Sequence, residues 1–408
     1  MDSATTRFFE QNTLARTILR SIALAAKGIV NTGLRIGTHV LWPRRRPRTA
    51  RRILVHRVGF IGDTICAVPA LRAIRDAYPD AELTLLTATG HESAPGAQDL
   101  LAHVSWIDRI ESYVPNELRG FRGARDYAQR LGARGYDLWI ELPQHLTTPQ
   151  TELRNMLFAR WVGAPWATGF VVGNVRWLGP VLAKASALHR SARHESDRLL
   201  SILERSAFPT ATPRFELDRS TEAHNEARAI LRDHGLGSRP LLAITPGAKR
   251  PANRWPVDRF ATIAARWEAE GGAVIVLGAP GDHTLGERIR ERAAATVNLC
   301  GRTTIITSAE LLRCADVLVT NDTGTMHVAA AVRTRCVVAF SARDVRGRWS
   351  PYGEGHTVLR SEPACSPCWK DECPYDNRCL TDIETESVWR AVWDRQALMF
   401  AENPGREG

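Results

Sequence analysis

Apolar positions along this chain fall into two kinds of run, and their alternation predicts the architecture. Short continuous runs have the length and β-branched content of strands buried on both faces. They are Ile53-Leu-Val-His-Arg57, Glu82-Leu-Thr-Leu-Leu-Thr87, Leu241-Leu-Ala-Ile-Thr245, Ala273-Val-Ile-Val-Leu-Gly278, Val317-Leu-Val319 and Cys336-Val-Val-Ala-Phe340, with further strand-like pieces at Val104 to Ile107 and Tyr136 to Glu141. Between them the apolar residues keep helical spacing, as at Ala67, Ala70, Leu71 and Ile74, and again at Ala227, Ile230 and Leu231. Strand, glycine corner, helix and strand within about 35 residues is the pattern of a right-handed βαβ unit. The predicted fold class is therefore α/β, with two Rossmann-like domains of similar size facing across a cleft, the default place for a ligand.

The boundaries follow from changes of composition. Residues 1–50 form a basic amphipathic extension, 51–205 a first domain, 206–390 a second domain that includes a Cys-rich loop at 365–379, and 391–408 a tail. Pro209, Pro213 and the polar run up to Thr221 read as the connection between domains. A chain of 408 residues has room for two or three such domains.

In the extension, Leu14, Ile18, Ile22, Ala25, Ile29, Ile36 and Val40 share one helical face, and Arg16, Arg20, Lys27, Asn31 and Arg35 lie opposite. Gly28, Gly33 and Gly37 argue against an unbroken helix. No stretch of membrane-spanning length is free of charge. Followed by Arg44-Arg-Arg-Pro-Arg48 and Arg51-Arg52, the pattern fits an in-plane helix with a polybasic anchor on an anionic membrane surface. The alternative is a helix packed on the protein's own domain.

Charge changes the picture once it is located. Residues 1–52 hold eleven Lys or Arg against Asp2 and Glu10, so +9 of the formal +10 lies in the extension. A generally basic nucleic-acid-binding surface is not implied. The first residues lack the uninterrupted apolar core of a signal peptide, which makes a reducing cytoplasm the expectation, with peripheral attachment to the inner membrane. Of eight cysteines, Cys66, Cys300, Cys314 and Cys336 stand alone, mostly in apolar runs. Cys365-x2-Cys368-x4-Cys373-x5-Cys379 crowd together, and four thiolates suit a tetrahedral structural zinc or an iron.

The stretch with the most chemistry is Val317 to Ala331, an apolar strand, a tight polar corner at Asn321 to Thr325, and a small-residue helix. Gly324 allows close backbone approach, Thr323 or Thr325 can cap, and free amides at a helix start favour an anion. In the first domain, Gly59-x-x-Gly62-Asp63 forms another strand-to-helix corner. Asp63 reads either as a carboxylate presented at an open corner or as an N-cap for a helix beginning near Thr64.

Several patterns, in order, resemble glycosyltransferase family 9, the ADP-heptose:lipopolysaccharide heptosyltransferases and their relatives. They are Ile53 to Arg57 leading to Gly62-Asp63 and Pro69-Ala-Leu-Arg72; Tyr136-Asp137; Thr245-Pro-Gly-Ala248 with Arg254-Trp-Pro256; Asn321-Asp-Thr-Gly-Thr-Met-His327; and Arg348-Trp-x-Pro351 with the cysteine tail. The resemblance covers roughly residues 53–390. It implies two Rossmann-like domains in the GT-B arrangement and an inverting, metal-independent sugar transfer, with no catalytic cofactor. The donor would be a nucleotide diphosphate sugar such as ADP-heptose, and the acceptor a lipopolysaccharide core or another lipid-linked or surface glycan. Asp63 matches the family's base. Thr245, Gly247, Lys249, Arg254, Asp282, Asp322, Thr323, Gly324, Thr325 and His327 match or adjoin the donor site. Where most of the family has a lysine before Arg-Trp-Pro, this chain has Asn253, which removes one expected phosphate contact unless Lys249 or Arg250 reaches in.

Two other classes compete with this one. A Rossmann oxidoreductase is disfavoured because the glycine corner lacks the G-x-G-x-x-G spacing and its acidic ribose partner. A zinc-knuckle-like nucleic-acid-binding protein would account for the cysteine spacing and basic arm. It is disfavoured by the charge distribution and by the two α/β domains around the cluster.

Overall fold

The structure is a computed structural model that describes residues 8–9, 11–43, 46–88, 95–114, 118, 120–187, 192–209, 214–237 and 239–402, with side chains up to 394. Arg44 and Arg45 of the basic run, Pro213 of the predicted connection and 403–408 of the predicted tail lie outside the described residues. The chain forms two compact units, residues 1–215 and 216–408.

The first unit is built on a five-stranded sheet of β1 (Arg52–His56), β2 (Glu82–Ala88), β3 (Arg109–Tyr113), β4 (Leu138–Glu141) and β5 (Trp166–Thr168). Their order is β3-β2-β1-β4-β5, and every neighbouring pair is parallel. The central strand β1 is apolar because helices cover both faces: Ile53, Leu54 and Val55 are fully buried. Asp137 fixes its start, accepting from the amides of Arg51 and Arg52 at 2.6 and 2.9 Å. The strand predicted at Val104 to Ile107 is a turn-rich approach instead, and β3 begins at Arg109. Val104, Trp106 and Ile107 are apolar because they anchor that approach in the core, and burial alone cannot separate the two cases in a short run.

Helix α1 (Thr13–Leu41) is continuous through Gly28, Gly33 and Gly37. It is docked on this unit by Ala23, Leu34 and the flanking Trp42, all buried. Trp42 donates to the Ala164 carbonyl at 2.9 Å and stacks on Phe170. The remaining helices named below are α2 (Ile61–Ala77), which runs on through Pro69, and α3 (Pro149–Val162).

The second unit holds β6 (Leu241–Thr245), β7 (Ala273–Val276), β8 (Val297–Asn298), β9 (Val317–Asn321), β10 (Arg335–Ala339) and β11 (Thr357–Leu359), again all parallel, in the order β11-β10-β9-β6-β7-β8. Its core gathers Leu242, Ile244, Val317 and Val319 from the sheet with Trp255, Phe260 and Trp267 from α4 (Val257–Ala269) and its approach. Helix α5 (Gly324–Ala331) follows β9 directly. The last helix, α6 (Thr385–Glu402), continues past residue 390, where the sequence placed the start of a tail, because Val388 and Val392 are fully buried in this core.

Each sheet reverses its winding direction once beside its first strand, between β1 and β4 in the first unit and between β6 and β9 in the second. The carboxyl ends of parallel strands at such a reversal leave a crevice where loops diverge, and ligands of open α/β sheets collect there.

Candidate active site

The two reversal points carry the residues singled out from the sequence. In the first unit, β1 ends at His56 and the chain turns through Gly59 into α2. A side chain at Gly59 would lie 2.2 Å from the Asp63 Cβ, so glycine is needed for Asp63 to fold back over the corner. Helix α2 starts at Ile61, earlier than expected, and Asp63 is its third residue rather than its N-cap. One carboxylate oxygen accepts from the Phe60 amide at 3.0 Å. The other lies 3.5 Å from the Arg57 guanidinium, leaving Asp63 partly exposed.

Arg57 is buried, and its two terminal nitrogens are held while its Nε has no partner among the described residues. It donates to the Pro143 carbonyl at 2.9 Å, to the Asp63 carbonyl at 3.2 Å and to Glu195 at 3.4 Å. Glu195 is fully buried and receives Arg198 through two hydrogen bonds of 2.7 Å. This chain of charges fixes the position of Asp63 without covering it. Burial, followed by the nearby Glu195 and Asp63 carboxylates, pushes the Cys66 thiol far up, so that it stays protonated.

A second polar group lies at the end of β4. Glu141 accepts from Trp139 at 3.2 Å and Asn155 at 3.0 Å, and faces His56 Nδ1 at 3.0 Å; His56 Nε2 lies 3.2 Å from the Tyr113 hydroxyl. Burial first, and then the Glu141 charge, raise the Glu152 carboxyl strongly, which keeps it protonated at neutral pH. Nothing in the sequence singled out Glu141, His56, Glu195 or Arg198.

In the second unit, Asn321 at the end of β9 is wholly buried and ties two loops together. Its Oδ1 accepts from the Trp255 amide at 2.9 Å, and its Nδ2 donates to the Pro246 carbonyl at 2.8 Å. The loop after β6 is thereby held against the Asn321 to Thr325 corner. Thr323, rather than Thr325, occupies the N-cap position of α5, but it makes no capping hydrogen bond through its hydroxyl. The first-turn amides around Gly324 and Thr325 are thus left for another acceptor.

The walls of this corner come from several places. Thr245 is buried at the end of β6, and its hydroxyl lacks a hydrogen-bond partner. A Cβ at Gly247 would lie 2.2 Å from the Asp282 carboxylate, which itself accepts from the Ala279 amide at 3.0 Å. His327 is buried on α5, edge-on to Trp349 at 6.3 Å between ring centres. Lys249 is exposed, and Arg254 bends back to donate to the Ala248 carbonyl at 2.9 Å.

Asn253, which replaces the expected lysine, points inward. It donates to the Asp322 carboxylate at 3.1 Å and backbone carbonyl at 3.0 Å, and accepts from Ser341 at 2.8 Å. An amide cannot neutralise Asp322 as an ammonium would. Its carboxyl is pushed up to about 7, first by burial and then by the Asp344 charge, while Arg343, Arg250 and Arg360 pull it down. These arginines supply the positive charge here, and Arg343 and Arg360 went unnoticed in the sequence because they lie far downstream of the motif.

The Cys-rich loop braces this cationic group. Asp371 pairs with Arg250 at 2.7 Å and Arg343 at 2.9 Å, and its carbonyl accepts from the Ala252 amide at 3.0 Å. The four cysteines of the loop are drawn together: burial raises the Cys379 thiol, and Cys368, Cys373 and Cys365 each add to the rise. All four are half-buried, and the Tyr375 amide donates to the Cys373 sulfur at 3.4 Å. The thiols act on one another through space, but among the described residues no three of these sulfurs form a group within 4.8 Å of one another, so a metal would have to draw them closer.

Residues 124–378 match the sequence profile of glycosyltransferase family 9 (heptosyltransferase). Lipopolysaccharide heptosyltransferase 2 of Escherichia coli is 36% identical over 309 residues, covering 71% of this chain and 82% of that protein. Lipooligosaccharide heptosyltransferase 2 of Haemophilus influenzae is 32% identical over 159 residues, covering 38% of this chain and 46% of that protein. The chain spans about half the length of this and two further such relatives, from Campylobacter jejuni. Among solved structures, a family 9 glycosyl transferase from Veillonella parvula superposes with a TM-score of 0.70 at 22% identity, covering 87% of this chain and all of that one.

Proposed function

Because the chain belongs to glycosyltransferase family 9, we propose that it is an inverting glycosyltransferase using an ADP-heptose-like donor and a lipopolysaccharide-core or other lipid-linked glycan acceptor. The observation that carries the reading is the α5 corner, where the N-cap hydroxyl is unused, the first-turn amides are open and arginines stand close by. That is a cradle for the charge that a nucleoside diphosphate gains as it leaves.

The division of labour follows from the two reversal points. Asp63, held by Arg57 and the Phe60 amide, accepts the proton of the acceptor hydroxyl as the oxygen attacks the anomeric carbon. The bond from that carbon to the diphosphate breaks, and the negative charge passes to the amides of Thr323, Gly324 and Thr325, with His327 donating to a phosphate oxygen. Asp282, brought close by Gly247, and Asp322 accept from sugar hydroxyls. Thr245, Lys249 and Arg254 complete the donor site. One attack on the face opposite the leaving group inverts the configuration.

Cys365, Cys368, Cys373 and Cys379 would hold a structural zinc or iron that stiffens the loop carrying Asp371. Residues 1–52 would hold the enzyme against an anionic membrane surface that bears the acceptor. Among the described residues no helix is long and apolar enough to cross a membrane.

Thermal shift with ADP, UDP, NAD and ADP-heptose, followed by transfer assays with the best donor, tests the function. Stabilisation by ADP and ADP-heptose is expected, and stabilisation by NAD alone would overturn the proposal. Metal analysis of protein purified without chelator tests the cysteine site. About one zinc or iron per chain is expected, lost in the Cys365→Ser/Cys368→Ser double variant; absence of bound metal in the parent removes the claim.

A further inference from the structure

Helix α1 is docked with the wrong face inward for a helix whose apolar side serves its own domain. On the docked side, alongside the buried Ala23, Leu34 and Trp42, polar groups make the hydrogen bonds: Lys27 donates to the Gly173 carbonyl at 2.8 Å, and Asn31 exchanges hydrogen bonds with Val172 at 2.8 and 3.3 Å. The apolar residues Leu14, Ile18, Ile22, Ile29, Ile36 and Val40 remain 50 to 74% exposed. At 1.5 Å per residue they form a stripe about 40 Å long. Unpartnered apolar surface of that extent is costly in water and marks a docking face.

Charge identifies the occupant. From Gln11 to Gly62 the chain has no Asp or Glu, whereas Arg20 and Arg35 are exposed on α1 and Arg48 and Arg51 beyond it. Helix α3, which contacts α1, also exposes Leu153 and Leu157 among Arg154 and Arg160. A long apolar stripe on a segment whose only charges are cations, with exposed arginines after the helix and on the neighbouring α3, matches the interface of an anionic bilayer, where isoleucines enter the acyl boundary and arginines meet headgroup phosphates. A globular protein partner would require no such one-signed segment.

We infer that the Leu14 to Val40 stripe of α1 is a lipid-binding face, fixed rigidly to the first unit through Lys27, Asn31, Leu34 and Trp42, so that anionic lipid orients that unit rather than merely tethering it. The inference deepens the membrane reading above but does not depend on the transferase reading, because lipid binding can be measured without turnover.

The test compares the full chain with its Ile22→Glu/Ile29→Glu/Ile36→Glu variant in sedimentation with vesicles of phosphatidylcholine alone, or of phosphatidylcholine and phosphatidylglycerol in equal parts. These positions are exposed, so the melting temperature and its shift by ADP should persist in the variant. The parent is expected to bind the mixed vesicles at least about tenfold better than neutral ones, less so at high salt, and the variant to lose at least about tenfold in binding. Equal binding by parent and variant, or none by the parent, overturns the inference. So does a parent that is dimeric and a variant that is monomeric in velocity sedimentation without lipid, since the stripe would then be a subunit interface. Vesicle binding without any ADP-dependent stabilisation would instead count against the transferase reading alone.

Discussion

At the β1/β4 reversal the charged groups are paired with one another, while at the β6/β9 reversal a helix start and several arginines surround a corner with backbone donors to spare. Arg57 in the first unit is enclosed by Asp63, Glu195 and two main-chain carbonyls, and Glu195 is satisfied again by Arg198. Such a set leaves Arg57 Nε and one Arg198 terminal nitrogen without a partner among the described residues, but it holds one partly exposed carboxylate in a fixed place. In the second unit Asn321 clamps loop to loop, Thr323 leaves its hydroxyl out of the helix cap, and Asp322 lacks the lysine that would have neutralised it. On the proposed function, the same strand topology would serve a proton acceptor in one unit and an anion cradle in the other. What differs is whether the corner is built chiefly of buried, paired charges or of backbone donors at a helix start.

The largest break in this contrast is expected from Asp63→Asn. The amide keeps an acceptor for the Phe60 N–H but cannot take a proton, so kcat should fall by about a thousandfold with donor KM changed less than about threefold. Substantial turnover by a stably folded variant would move the base elsewhere. Next comes Gly247→Ala. Its Cβ would lie 2.2 Å from the Asp282 carboxylate, so either loop or carboxylate must shift. ADP binding measured by calorimetry should weaken about tenfold, with a stability loss of about 1 to 3 kcal/mol, while Asp63 and its ion pairs in the other unit stay intact. Unchanged ADP affinity would place the diphosphate away from this loop.

The smallest effect sharpens the role of Asp322. Its folded-state value of about 7 lies above the ordinary 3.8. The folded protein therefore keeps a proton that the unfolded chain releases, and this group's contribution to stability falls as pH rises from about 4 to about 7. A diphosphate binds best beside the neutral acid, so ADP affinity should fall about threefold between about pH 6 and about pH 8. In Asp322→Asn that slope should be absent, and an identical slope in both proteins would assign it to another group.

Residues adjacent in sequence predicted their surroundings well. β6 spans Leu241 to Thr245 as its apolar run implied, and Asn321 to Thr325 forms the strand-to-helix corner. Val104 to Ile107 did not, because a short apolar run has the same composition whether it pairs in a sheet or plugs a core from a turn. The supports of the site were invisible for a different reason. Glu195 lies 138 residues from Arg57, and Asp371 lies 121 from Arg250, with no local spacing that could link them.

α1 shows the division most plainly. The sequence alone determined that one side of this helix is apolar and the other basic, because helical periodicity is a local property of the chain. Which side faces the protein was decided only by tertiary structure. Lys27 and Asn31 meet main-chain carbonyls that their own helix cannot supply, and Ala23, Leu34 and Trp42 are buried on that side with Val30 packed beside them, leaving the isoleucine stripe to whatever lies outside the fold. In the same way the sequence placed two anion-capable and proton-capable corners on two parallel sheets. It took the packing of distant residues to pair the charges at one corner and to leave backbone donors open at the other, since hydrogen bonds and ion pairs are completed in space and not along the chain.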